Sequence, residues 1–254
     1  KTCKKAGIDF FSSPYAFDMV DHLNPYVPAY KIGSGDITWL EIIKYISKKN
    51  KPVILASGAS KLLDVQKAIN TIKKYNKKIV LMQCNTNYTA SRENFKYINL
   101  NVLKLFKKKF SNLILGLSDH TPGHTTVLGA VMLGARVVEK HFTDNNNRIG
   151  PDHKFSMNPK TWKEMIEATK ELEASLGDGI KKIEKNESET AVLQRRSIRI
   201  KNTVNKGQIL KKENLIMLRP CPKDAFPVPD VNKILGKKIK NKRVSGDYIR
   251  SKDV

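Results

Sequence analysis

Six short apolar runs alternate with lysine-rich amphipathic segments over the first 142 residues, and this alternation restricts the fold more than any other feature. The runs have the length of buried strands: IDFFSSP (8–14), AYKIGSG (29–35), PVILASG (52–58), IVLMQCN (79–85), LILGLSD (113–119) and RVVEKHF (136–142). The segments between them, such as KLLDVQKAINTIKKYN, repeat apolar residues at intervals of three and four, which is typical of a helix packed on one face. The pattern therefore predicts a parallel sheet covered by helices.

Two architectures contain such a sheet, a closed (β/α)8 barrel and an open doubly wound sheet. A nucleotide-binding open sheet would show G-x-G-x-x-G after its first strand, and the sequence has no such motif. Polar residues end the runs instead, as at the active face of a barrel. Six strands do not close an eight-stranded barrel. We therefore expect a (β/α)8 TIM barrel that lacks its first two βα units in this sequence, with the six runs as its third to eighth strands.

The residue pattern of the sequence changes after a final helical segment that ends at Gly177. A charged stretch follows, and from Arg195 onward short strand-like runs such as RRSIRI and NLIMLRP alternate with turns. We expect a barrel domain over 1–180, a linker over 181–193 and a small mixed domain over 194–254.

The formal net charge of +23 at pH 7 is compatible with a polyanionic partner. The excess lysines, however, are scattered in pairs along helix faces and loops rather than gathered into one stripe. A solvated surface without a nucleic acid partner is the expected interpretation. A basic nucleic-acid-binding module is a rival that rests on charge alone.

The expected compartment follows from cysteine usage and hydropathy. Three cysteines without paired metal spacing fit a reducing cytoplasm better than a disulfide framework. No apolar run approaches the roughly 20 residues of a membrane helix, so no membrane partner is expected.

His120 and His141 end two successive runs, and strand alternation places each at the inner mouth of the predicted barrel. Two imidazoles from neighbouring strands can hold one divalent cation and leave positions open for substrate. A histidine at a strand end is more often a hydrogen-bonded structural residue, so the pattern leaves both interpretations open. Glu139 lies on the same side as His141 and, if buried, would need a partner such as Lys31.

The segments SDHTPGHTTVLGAVMLGARVVEKHFTD and RIGPDHKFSMNP closely resemble the sialic acid synthase family, whose members make N-acetylneuraminic, legionaminic and pseudaminic acids. The resemblance runs from about Ser12 to the C-terminus and includes KIGSGD, QCNTNY, LRP and ILGKK. It implies a C-terminal antifreeze-like (SAF) domain. It also implies metal-dependent condensation of phosphoenolpyruvate with an N-acetylmannosamine-type amino sugar, which releases phosphate.

The resemblance assigns roles to particular residues. His120 and His141 would ligate a divalent metal ion, which would be Mn2+ or, in its place, Mg2+ or Co2+. Asp152 of GPD would contact the sugar at the catalytic centre. Arg219 would reach the sugar from the partner subunit of a domain-swapped homodimer. The implied substrate-binding residues are Ser13, Lys31, Ser34, Thr86, Asn87, Tyr88, Ser118 and Arg219.

Two departures from the family pattern qualify these roles. Thr86 stands where the family often has Asn, and CPKDAFPVPD follows Arg219 in place of a Gly-rich stretch. The glutamate that the family places on its first two strands has no counterpart here, so we expect the 254 residues alone to form an incomplete barrel without turnover.

The expected activity is that of an N-acetylneuraminate synthase in a bacterial cytoplasm, because products of this family usually decorate bacterial surface glycans. Legionaminic or pseudaminic acid synthase is the alternative within the family. A metal-dependent aldolase or hydrolase on the same barrel is the alternative from another class.

Overall fold

A computed structural model describes residues 1–254 and divides the chain into two units, Lys1–Asp178 and Gly179–Val254. Five parallel strands form the sheet of the first unit in the spatial order of the chain. They are β1 (Tyr30–Ile32), β2 (Val53–Ala56), β3 (Ile79–Cys84), β4 (Ile114–Asp119) and β5 (Ala135–Lys140). The helices of this unit are α1 (Thr2–Lys5), α2 (Phe17–Leu23), α3 (Leu40–Ser47), α4 (Leu62–Lys73), α5 (Val102–Lys109), α6 (Thr125–Met132) and α7 (Pro159–Ser175).

The first apolar run, residues 8–14, is not a strand, so the prediction of six strands is wrong by one. The carbonyl of Ser12 accepts one hydrogen bond from the backbone N–H of Lys31 at 3.2 Å. A strand requires a repeated ladder of such bonds, and a single bond does not make one. Phe10 and Phe11 are exposed, so this run also lacks the burial that its composition indicated.

One face of the sheet packs against the helices and forms the main core. In α4 the buried residues Val65, Ala68, Ile69 and Ile72 follow the spacing i, i+3, i+4, i+7, which turns one apolar stripe toward the sheet. Each fully buried Val or Ile side chain of this stripe contributes about 1.5–3 kcal/mol. None of the helices is both long enough and apolar enough to cross a membrane.

The opposite face of the sheet contains a much smaller apolar cluster, formed by Ile54, Val80 and Met82. Because side chains alternate along a strand, Val80 and Met82 of β3 lie on this face while Leu81 between them joins the main core. Toward the carboxyl ends of the strands this face becomes polar, and it is here that the candidate site lies.

The second unit contains α8 (Ser188–Gln194) and two antiparallel strands, β6 (Ser197–Ile200) and β7 (Leu215–Leu218). Turns and 3-10 helices connect the remaining chain, as the short runs of the sequence indicated. The unit has a hydrophobic core of its own, which consists of Ile198, Ile200, Val204, Leu210, Leu215, Ile234, Ile239 and Ile249.

Candidate active site at the carboxyl edge of the sheet

The register between β4 and β5 determines which side chains meet at the carboxyl edge. It shifts by one residue between Leu115 and Gly116, because Arg136 is an extra residue on β5. Beyond this bulge Ser118 pairs with Glu139, and its Oγ donates a hydrogen bond to Glu139 Oε1 at 2.9 Å. A one-residue change of register exchanges the faces of a strand, so the bulge brings these two polar side chains to the same face.

Gly116 makes this close pairing sterically feasible. A Cβ atom at this position would lie 2.7 Å from the carbonyl oxygen of Val137 and 3.0 Å from Cγ of Met82. Backbone cannot retreat from such a contact as a flexible side chain can, so any larger residue would push β5 away from β4.

The two histidines lie side by side, with ring centroids 5.0 Å apart. Nδ1 of His120 is 2.7 Å from the carbonyl oxygen of Asn85, and Nδ1 of His141 is 3.3 Å from Oδ2 of Asp152. The carbonyl of Asn85 can only accept a hydrogen bond, so His120 donates from Nδ1 and its Nε2 faces away from this contact. The carboxylate of Asp152 favours a proton on Nδ1 of His141 in the same way. Such second contacts commonly orient metal-ligating histidines.

The separation of the two histidine rings is compatible with binding of one divalent cation between them. Two imidazoles that bind one ion through bonds of about 2.1 Å have ring centroids roughly 4.5–5.5 Å apart at tetrahedral to octahedral angles, and the observed separation of 5.0 Å falls within this range. Burial lowers the pKa of His120 and the neighbouring His141 lowers it further, although the hydrogen bond to Asn85 acts in the opposite direction. The neutral imidazole, which is the ligating form, is thereby favoured.

Two aromatic side chains surround the histidines. The ring of Tyr88 lies 4.2 Å from that of His120, and the buried ring of Phe155 lies 5.1 Å from that of His141. Tyr88 is 49% exposed, so it can contact a ligand from the open side. Desolvation raises the pKa of its phenol, which keeps the hydroxyl group protonated as a donor at neutral pH.

Lys31 and Glu139 form an ion pair across the polar face, with Nζ 3.3 Å from Oε2. They lie on β1 and β5, four strand spacings apart, which is about 19 Å along a flat sheet. That distance exceeds the combined reach of the two side chains, so the sheet must be strongly curved around this face. The curvature is that of a barrel wall, and the expected pairing of Glu139 with Lys31 is present.

The loops after β1, β2 and β3 converge around Gly58. Its N–H donates to Ser34 Oγ at 2.9 Å, and a Cβ there would lie 2.5 Å from Cγ2 of Thr86. Cys84 borders the same cluster, and burial raises the pKa of its thiol against the lowering effect of hydrogen bonds with Ser34 and Ser118. Three predicted substrate-binding residues therefore lie close together here, namely Ser34, Thr86 and Ser118.

Backbone hydrogen bonds close the loop that carries Asp152 and keep it next to His141. The N–H of Met157 donates to the carbonyl of His141 at 2.8 Å, and the N–H of Thr143 donates to the carbonyl of Met157 at 2.8 Å. Inside the loop Asn146 Nδ2 donates to the carbonyl of His153 at 2.7 Å. These bonds close the loop, so the backbone of Asp152 is held next to His141.

Three other predicted site residues lie elsewhere or have different contacts. Ser13 is half-buried and lies within the first apolar run, which is not a strand. Asn87 Oδ1 accepts hydrogen bonds from the backbone and hydroxyl of Thr89 at 3.1 and 2.8 Å, which shapes its own loop. Arg219 is an exposed residue of the second unit, and its carbonyl accepts a bond of 2.7 Å from Arg199 Nη2.

Sequence reasoning missed several residues that shape the site. Three of them are ordinary members of strand-like runs, namely Gly58, Cys84 and Gly116. A close approach between backbone segments leaves little trace in a single sequence. Phe155 lies in a loop-like stretch where an aromatic residue could have suggested packing. The best available signal was the glycine within the apolar run LILGLSD, since a glycine inside a strand often marks a bulge or a close approach.

Comparison with known proteins connects both units to described families. A model of the NeuB family matches residues 1–181, and a model of the SAF domain matches residues 195–254. These matches confirm the resemblance that the sequence motifs indicated, including the antifreeze-like C-terminal domain.

Relatives with assigned names carry related activities. N,N'-diacetyllegionaminic acid synthase of Campylobacter jejuni is 39% identical over 222 residues, which cover 86% of this chain and 65% of that protein. Pseudaminic acid synthase of the same species is 31% identical over 255 residues, which cover 100% of this chain and 72% of that protein. The crystal structure of N-acetylneuraminic acid synthetase from Leptospira borgpetersenii matches with a TM-score of 0.66 and 28% identity over 74% of this chain and 65% of that one. The chain thus spans about two thirds of the length of these relatives.

Proposed function

The chain belongs to the NeuB family, and from this premise we propose that it provides the catalytic face of a nonulosonic acid synthase. The substrates would be phosphoenolpyruvate and an open-chain N-acylated amino sugar. The observation that supports this proposal best is the pair of histidines with free Nε2 atoms, placed on the same polar face as the Lys31 ammonium group.

The proposed reaction joins two substrates and releases phosphate. C3 of phosphoenolpyruvate forms a bond with the sugar aldehyde carbon, water adds at C2, and the C–O bond to phosphate breaks. The products are a nine-carbon 2-keto acid and inorganic phosphate. This chemistry requires cationic and donor groups for the phosphate and carboxylate, together with polarisation of the aldehyde.

His120 and His141 would hold a divalent ion, for which the family suggests Mn2+. When bound, this ion would supply Lewis-acid polarisation of the aldehyde oxygen. Asn85 and Asp152 would keep the two rings in the ligating tautomer through their contacts at Nδ1. Imidazole ligands alone do not select Mn2+ over Zn2+ or Cu2+.

Lys31 is the proposed anchor for the anionic substrate. Its Nζ has one carboxylate neighbour, Glu139, so the ammonium group can also donate hydrogen bonds to a phosphate or carboxylate. Ser118 fixes the other oxygen of Glu139, which leaves that carboxylate as an oriented counter-charge. Ser13 and Ser34 are proposed as additional hydroxyl donors.

The sugar end of the site would include Tyr88, Asp152 and, from the second unit of a partner in a domain-swapped dimer, Arg219. The sequence-based preference for N-acetylmannosamine stays a prediction. A 2,4-diacetamido-6-deoxy sugar is the second candidate, because a relative at 39% identity is named N,N'-diacetyllegionaminic acid synthase.

The test is phosphate release by the gene product that contains this chain, measured with Mn2+ and phosphoenolpyruvate and with each amino sugar in turn. Release that requires both an amino sugar and His120 is the expected result, and the preferred sugar identifies the product. The His120→Ala variant should lose release, whereas His22→Ala, at the end of α2, should retain it. Release without any amino sugar would favour the alternative hydrolase class.

A further inference from the structure

The residues that immediately precede the two histidines form a buried ion pair. Lys140 Nζ lies 2.5 Å from Asp119 Oδ2, and the two side chains are 1% and 0% exposed. Asp119 and Lys140 are also Cα partners on the last rung between β4 and β5. His120 and His141 are therefore each one residue beyond a fixed cross-strand link.

This link lies on the face of the sheet opposite to Ser118 and Glu139, because side chains alternate along each strand. The oxygens of Asp119 accept three further hydrogen bonds from Thr121 and Thr126. They come from the Thr121 N–H at 3.2 Å, the Thr121 hydroxyl at 2.9–3.0 Å and the Thr126 hydroxyl at 2.7 Å. The ammonium group of Lys140 makes a second bond, to the carbonyl of Thr121 at 2.6 Å.

The network thus encloses His120 from both sides. Asp119 and Thr121 are its chain neighbours, and both are bonded to Lys140 of β5. Thr126, in the first turn of α6, ties the same carboxylate to the helix that follows. The backbone at His120 consequently has little freedom to move relative to the backbone at His141.

Stability alone is a weak explanation for such a pair, because well-packed apolar residues often replace a buried ion pair without loss of stability. What apolar residues cannot reproduce is its directional geometry, in which both oxygens of Asp119 and the ammonium group of Lys140 are bonded to named partners. We propose that Asp119 and Lys140 are positioning residues, which set the separation of His120 and His141 so that both imidazoles bind one divalent ion. This inference rests on the proposed ion site at the two histidines.

The experiment measures the Mn2+ dissociation constant of the gene product that contains this chain, from the free Mn2+ signal in electron paramagnetic resonance. The test variant is Asp119→Asn/Lys140→Met, which removes the link without leaving a charge buried and unpaired. Its matched control is Asp21→Asn/Lys49→Met, which removes a lysine–aspartate pair of the same 2.5 Å length near α2 and α3. Loss of an outer contact typically weakens metal binding about 10- to 100-fold, and we expect that loss for the test variant and an unchanged constant for the control.

Thr126→Val provides a milder variant, because it removes one hydrogen bond to Asp119 and keeps the ion pair. We expect Mn2+ binding to weaken by roughly threefold, which is below the 10- to 100-fold range for loss of an outer contact, because Thr126 acts only through Asp119. If the double variant does not fold, as shown by circular dichroism, the Thr126→Val result decides alone. Folded variants that bind Mn2+ like the wild type would overturn the inference while leaving the ion site intact. Wild-type protein whose Mn2+ binding does not depend on His120 would refute the ion site itself, and the inference with it.

Discussion

Two lysine–carboxylate pairs occupy opposite faces of the same sheet, and they differ in how completely their bonding groups are used. Asp119 and Lys140 are almost fully buried, and their polar atoms are bonded to protein. Glu139 and Lys31 are 3.3 Å apart, and the side chain of Glu139 is 39% exposed. The comparison indicates that the closed pair serves geometry, whereas the open pair retains capacity for a ligand.

The largest expected effect is a difference in the free energy of unfolding between variants of Lys140 and Lys31. Lys140→Met leaves the carboxylate of Asp119 buried and unpaired, so we expect a loss of about 3–5 kcal/mol in the free energy of unfolding. Lys31→Met leaves Glu139 able to reach water, so the loss should be about 1 kcal/mol or less. Urea denaturation of both variants measures the difference, and equal losses would show that the two pairs are not distinct in kind.

The second prediction concerns catalysis, in which Lys31 is the proposed contact for the anionic substrate. Lys31→Met should lower kcat/KM for phosphoenolpyruvate about 100-fold, because a desolvated cation for the anionic substrate is lost. Lys49→Met, on the C-terminal side of α3, is the matched control and should leave the parameter unchanged. The measurement is initial phosphate release at varied phosphoenolpyruvate, and an unaffected Lys31→Met variant would remove this residue from the substrate site.

A third prediction concerns the bulge that places Ser118 and Asp119 on their respective faces. Gly116→Ala should destabilise the protein by about 1–3 kcal/mol, because its Cβ has no space next to the backbone of β5. Gly35→Ala is the control, since a Cβ there would meet nothing within 4 Å; its effect should stay within about 0.5 kcal/mol. Thermal unfolding of both variants provides the comparison, and equal midpoints would show that β4 and β5 can separate without cost.

The smallest expected effect concerns the access of water to Cys84, which the alkylation rate of its thiol reports. Burial raises the pKa of the Cys84 thiol, so alkylation, which needs the thiolate, should be slow at pH 7.5. The rate should increase only as the pH passes above the ordinary value of about 8.5. Mass spectrometry can follow Cys84 in the native protein and in the urea-unfolded control. A native rate that is half-maximal at or below pH 8.5 would show that water enters this cluster freely.

The parallel α/β architecture could be predicted because it depends on patterns that neighbouring residues share. Val65, Ala68, Ile69 and Ile72 repeat with the period of a helix, and this period alone orients α4 on the sheet. Residues 8–14, which were predicted as a strand and do not form one, show the limit of the same reasoning. An apolar run becomes a strand only where a partner supplies a ladder, and its sequence contains no record of that partner.

The candidate site could be predicted in part. Polar residues at strand ends, among them Lys31, His120 and His141, form a pattern that the sequence itself displays. The contacts of the second histidine are not part of that pattern, because Asp152 is held beside it by a loop closed through the backbone of Met157. Local sequence does not specify such a contact between segments.

By itself the sequence determined the alternation of strands and helices, the residues available at the strand ends and the motifs of the family, because each of these is a property of short segments. Tertiary structure decided the rest. The extra residue Arg136 brings Asp119 opposite Lys140 and Ser118 opposite Glu139, and the curvature of the sheet brings Lys31 to the same carboxylate. The physical reason is that register and curvature arise from how whole strands pack against one another, and a shift of one residue exchanges every face.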